Sequence, residues 1–150
     1  MSTLTAARAE TMTHLWKGAG LTAAAAILFP RLNAVMYEHE KIWQFDGEDR
    51  VLAPLVVAVA LALFAVVGSI AWRGTRNRPA LAGLVFAILA VLGVVAYWIS
   101  APIMLGGLAV TLGVEGRRRA ERGRARIATV AIAIGGLATA AGATLWLTNL

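Results

Sequence analysis

The chain has 150 residues, 59% of them hydrophobic and 15% charged, with a mean hydropathy of +0.73. An average soluble domain is nearer ~45–50% apolar and ~25% charged, and a domain of this size still leaves much of its surface in solvent. The composition excludes an ordinary soluble enzyme and a disordered chain, and Cys 0 excludes a disulfide scaffold or a thiolate metal site. What remains is an all-α, polytopic transmembrane bundle. The net charge of +6 would suggest nucleic acid in a soluble protein. Here, however, the basic residues gather between apolar segments: Arg73, Arg76, Arg78, then Arg117, Arg118, Arg119, Arg122, Arg124, Arg126. That is the positive-inside pattern of a membrane protein, with no nucleic-acid partner implied. The preference for Ala, Gly and Arg over Lys points to a GC-rich bacterial genome, hence a bacterial plasma membrane.

Residues 1–14 are mixed polar, and the apolar run Gly18 to Pro30 ends in Phe29-Pro30-Arg31, which is not a small-residue cleavage site. A retained first span over 15–36 is expected if Lys17 snorkels and the helix continues past Pro30. Were it to lie in the interface instead, the spans would number four. The connector 37–50 carries five acids and belongs to the one net-acidic segment, placed outside. Residues 51–72 are charge-free, with Pro54 in the first turn, and make a full crossing.

Residues 79–114 are charge-free over 36 positions. One helix would run roughly 54 Å against a ~30 Å hydrocarbon core. Both flanking loops are basic and so cytoplasmic, which requires an even number of crossings. The chain is therefore expected to turn at Ser100-Ala101-Pro102, giving spans 79–98 and 102–114. Pro102 disfavours helix before it, and Ser100 can cap the next helix. The returning helix would reach only ~20 Å. Residues 127–148 make the last crossing. Trp16, Trp43, Trp72, Trp98 and Trp146 all fall near span ends, as an aromatic belt would. The expected topology has five spans, a cytoplasmic N-terminus and an outside C-terminus.

The spans 51–72, 79–114 and 127–148 contain no Asp, Glu, Lys, Arg or His. That weighs against proton coupling, cation coupling and axial-histidine haem, so no cofactor is expected. The hydroxyls of Thr111, Thr129, Thr139 and Thr144 are expected to bond their own helix backbone. Glu38-His39-Glu40 is the one acid/histidine cluster. Neighbours in sequence point in different directions, so a solvated loop is expected there, with neither metal nor catalysis. His14 could join the cluster only from the same side of the membrane. No HExxH, GxSxG or P-loop is present.

Ala131, Gly135, Thr139 and Ala143 form a stripe of small residues that suits close helix packing, within the chain or between copies. Gly106-Gly107 and Gly135-Gly136 fit the same packing. The run 115–126, with six arginines and two glutamates, would attract anionic headgroups or an acidic partner.

The segments Pro102 to Gly113, Arg117-Arg-Arg119, Arg122-Gly-Arg124 and Ala133-Ile-Gly-Gly136 resemble a widespread group of small actinobacterial multi-pass membrane proteins of uncharacterised function. The resemblance covers residues 79–148, and the chain departs from the pattern after Gly123. It implies a membrane location and a helical hairpin, and no chemistry. The leading expectation is a non-enzymatic accessory or scaffold subunit of a membrane complex, possible as a homo-oligomer. The alternative is a small oligomeric channel or transporter.

Overall fold

The computed structural model describes residues 2–39, 47, 49–73, 78–119 and 124–148, and among them all regular structure is helical. The helices are α1 (Ser2–Tyr37), α2 (Asp49–Arg73), α3 (Arg78–Leu92), α4 (Ala101–Arg119) and α5 (Ala125–Thr148), with a 3₁₀ segment, Gly93–Ile99, between α3 and α4. Four segments are long and apolar enough to cross a membrane: Ala9–Tyr37, Arg50–Ala71, Arg78–Ile99 and Ala125–Thr148. The protein therefore has the fold of a helical membrane protein.

α4 is the exception in composition and the centre in space. It is 19 residues long and falls outside those four segments, yet it buries eleven residues, from Ala101 to Gly116. Ile103, Leu108 and Leu112 are among the most fully buried side chains of the molecule. The other helices surround it. Gly83 of α3 lies against the backbone of Ala109 and Gly113, and Gly116 lies against Ala80. Gly113 meets the Ala128 carbonyl of α5, and Gly106 meets that of Gly135. A Cβ at any of these positions would press on backbone, so glycine is what lets the three helices close to this distance. α1 packs on α4 through Gly18 against Thr111 and Thr22 against Gly107. α2 packs chiefly on α1, where Gly68 faces Leu15. These pairings run α1, α3 and α5 in one direction and α2 and α4 in the other.

Two apolar clusters tie α1 and α2 to α4. One joins Leu15, Ala19, Phe64, Ala71, Leu108 and Leu112. The other joins Ala23, Ala26, Ala60, Ile103 and Met104. Outward faces are apolar as well: Leu21, Val66, Val85, Val95 and Leu137 are all exposed.

Several element ends differ from the sequence reading. α1 starts well before residue 15, over polar residues in which His14 reaches Glu10 one turn back at 3.7 Å. α4 runs five residues past Val114, so Arg117, Arg118 and Arg119 form its last turn rather than a loop. The extension has local causes. The Arg119 Nε donates to Glu115 Oε1 at 2.6 Å, an i, i+4 pair, and cations favour a helix C-terminus. The segment 79–98 is not one α-helix, because it tightens into the 3₁₀ segment at Gly93.

Candidate functional site

The most polar interior of the described residues lies where α1, α2 and α5 meet the 3₁₀ segment, and Pro30 organises it. Proline has no N–H, so inside α1 it deprives the Ala26 carbonyl four residues earlier of its helical donor. Ser100 supplies the missing donor. It sits in the left-handed region at φ 56, is buried, and its hydroxyl donates to the Ala26 carbonyl at 2.9 Å. The sequence reading gave Ser100 the task of capping the following helix. Its backbone does so, since Met104 N–H donates to the Ser100 carbonyl at 3.0 Å, but its side chain serves α1.

The last carbonyls of α5 have no partner within that helix. Two side chains of α1 reach them: Asn33 Nδ2 donates to the Trp146 carbonyl, and the Tyr37 hydroxyl donates to that of Leu147 at 3.0 Å. Arg31 lies beside them, 5% exposed and engaged in polar contact. Arg31, Asn33, Glu38 and Ser100 line a cavity of about 230 Å³, walled by Ile27, Leu52 and Val56 and flanked by Trp98 and Trp146. Tyr97 packs edge-on against both tryptophans at 5.9 Å. The Trp146 Nε1 is buried without a partner among the described residues. Asn33 and Ser100 are thus committed to backbone carbonyls of neighbouring helices, and Arg31 and Glu38 supply the charged part of the lining.

Sequence reasoning missed Arg31, Asn33 and Ser100 as a group. One signal was available: a proline within a helix always frees a carbonyl, and a hydroxyl elsewhere must meet it if the site is buried.

Of the residues singled out from the sequence cluster Glu38-His39-Glu40, Glu38 lines the cup, and the small-residue stripe and the arginines fall elsewhere. On α5, Ala131, Gly135 and Ala143 are buried. Gly135 faces Ala109 and Gly106 of α4, and the Thr139 hydroxyl donates to the Gly135 carbonyl at 2.9 Å. Thr111, Thr129 and Thr144 likewise bond their own helix one turn back. At the opposite end from the cup, Arg117, Arg118, Arg124 and Arg126 are exposed and Arg119 is half-buried. Arg118 also approaches Glu10 of α1 at 3.9 Å. Arg122 and Trp43 lie outside the described residues.

Glu38 and His39 are exposed just past α1, with His39 at φ 58, and Glu40 lies outside the described residues. No group of three His, Asp or Glu able to hold a metal occurs among the described residues. His14 lies 23 residues before Tyr37, the end of α1, roughly 34 Å away along the helix, so it cannot join that cluster. Compared with protein families, curated proteins and solved structures, the chain matches none of them.

Proposed function

We propose that the protein crosses a bacterial plasma membrane five times and acts as a non-catalytic accessory or scaffold subunit of a membrane complex. In this topology α4 is the fourth crossing in chain order, added to the four apolar segments and made possible by its neighbours rather than by its own composition. The cup end faces outward, the arginines of α4 and α5 face the cytoplasm, and those arginines meet anionic headgroups. At 19 residues α4 reaches roughly 28 Å with its arginine turn included, and its charge-free part, 101–114, reaches roughly 21 Å.

The observation that carries the functional reading is the closure of the centre. Gly83, Gly106, Gly113, Gly116 and Gly135 bring α3, α4 and α5 together at backbone distance, which closes the faces of α4 turned toward α3 and α5. The small-residue stripe of α5 is engaged inside the chain, so it is not free to build a pore between copies. The channel or transporter alternative would have to use the cup as a vestibule and another face for assembly.

The mass of the native particle in mild detergent separates the two: a complex with a different protein is expected, and a closed homo-oligomer would favour the channel. Topology is tested by single cysteines, since the chain has none of its own. Gly47→Cys, Ile99→Cys and Asn149→Cys should react with an impermeant reagent on intact cells, and Ser2→Cys, Thr75→Cys and Gly123→Cys should not. Labelling at Thr75 or Gly123 would remove the even-crossing argument, whereas labelling at Ser2 would remove only the first crossing.

A further inference from the structure

A second cavity, about 310 Å³, opens between α1 and α4 at the arginine-rich end, a size in the range of small-ligand sites. We propose that it seats one anionic phospholipid, with the phosphate held by Lys17 and Arg118 and an acyl chain laid along Leu21, Val110 and Val114. The proposal rests on the membrane topology given above.

The register of the two helices builds this arrangement. Lys17 and Leu21 are one turn apart on α1, and Val110, Val114 and Arg118 are successive turns on α4, so each helix lines the cavity with one face. Because the helices are antiparallel, with Gly18 against Thr111, both faces read from charged to apolar in the same direction through the membrane. Lys17 lies roughly 9 Å deeper than Arg118. Side chains lean toward the N-terminus of their own helix. Lys17 therefore leans up toward the arginine-rich end and toward Arg118, whose guanidinium lies 3.9 Å from Glu10.

The charges around the cavity leave room for an anion. Glu115 lines it, but its carboxylate accepts from Arg119. Glu10 is the competing acid. It is exposed and sits at long range from both Arg118, at 3.9 Å, and His14, at 3.7 Å. Lys17 has no ion pair among the described residues. One turn deeper than the cation of its own helix, Leu21 is 74% exposed and Val114 is also exposed, an apolar track with no protein over it. A phosphate on a hydrocarbon tail matches both halves; an acidic peptide would match only the upper one.

The test is native mass spectrometry of the full chain released from bilayers of phosphatidylcholine containing phosphatidylglycerol. One retained phosphatidylglycerol per chain is expected. K17Q/R118Q should weaken its retention roughly 10- to 30-fold, from the loss of two cations near the surface. V114W should do the same by filling the track with the charges intact, and E10Q should strengthen retention. R78Q/R126Q makes the same change of net charge away from the cavity and should leave retention unchanged. If this control loses as much lipid, the attraction is diffuse and the site is wrong. Equal retention of phosphatidylcholine by a chain that stays embedded would also overturn the site while sparing the topology. A chain stripped from the bilayer by alkaline carbonate would remove the topology itself.

Discussion

The unit of α3, α4 and α5 and the pair of α1 and α2 use glycine differently. In the three-helix unit a Cβ on Gly106, Gly113 or Gly116 would meet main-chain atoms: the Gly135 carbonyl, the Ala128 carbonyl and the Ala80 N–H. Where the pair packs, the neighbours are side chains: Gly18 of α1 faces that of Thr111 on α4, and Gly68 of α2 faces that of Leu15 on α1. Main chain cannot be shortened and side chains can. The first region is thus a contact of fixed geometry. The second can be re-cut by compensating substitutions, as suits helices attached later or held less firmly.

The largest effect should come from placing bulk where backbone meets backbone. Gly116→Leu should destabilise the protein by about 3 kcal/mol or prevent its accumulation, and no substitution at Ala80 should restore it, because the obstructed atoms include the Ala80 N–H and Cα. Full rescue by Ala80→Gly, measured as thermal stability in detergent, would contradict the distinction. Gly135→Leu should behave similarly, while Ile132→Leu should cost less than about 1.5 kcal/mol.

A smaller effect is expected in the pair, and it should be reversible. Gly18→Ala meets only the Thr111 side chain, and its two closest atoms, Oγ1 and Cγ2, are the ones Thr111→Ala removes, so that change should recover most of the lost stability. Failure of that rescue would mean that α1 is held as rigidly as α3.

One polar link near the junction of the regions is the Ser100 bond to the Ala26 carbonyl. Ser100→Ala should cost about 1–3 kcal/mol, the usual penalty for an unsatisfied buried acceptor. Pro30→Ala returns an N–H to that carbonyl, so the cost of Ser100→Ala should shrink in its presence. A double-mutant cycle with no coupling would show that the two residues act independently. The smallest effect is expected at Glu38, His39 and Glu40: replacing all three with Gln should change neither stability nor metal content, and a stoichiometric metal lost on replacement would reverse that reading.

Apolar, charge-free runs made most of the helices legible, because length against bilayer thickness is a one-dimensional argument. The break near Ser100 was legible for the same reason: 36 charge-free residues are too long for one crossing and Pro102 marks where a new helix can start. The end of α4 was not, because charge was read as loop. The Glu115 and Arg119 spacing, which carries the helix through, was present in the sequence as an i, i+4 pair. The cup was hidden for a different reason. Its central bond joins residues 74 apart, and its caps join α1 to residues more than 100 positions away. No local pattern encodes such distances. Burial of Arg31 and Asn33 follows from those closures and not from their own neighbours in the chain.

The sheltered position of α4 has a consequence for how the protein is made. It carries four glycines, and three arginines in its last turn, so alone it is a poor candidate to partition from water into lipid. Under the five-crossing topology it would have to enter together with α3, or wait beside the insertion machinery until α5 emerged to cover its open side. Translation rate through residues 101–148 would then govern yield. Chains released before α5 would present the glycine face of α4 to quality-control proteases, making the last helix the step that commits the molecule to survival.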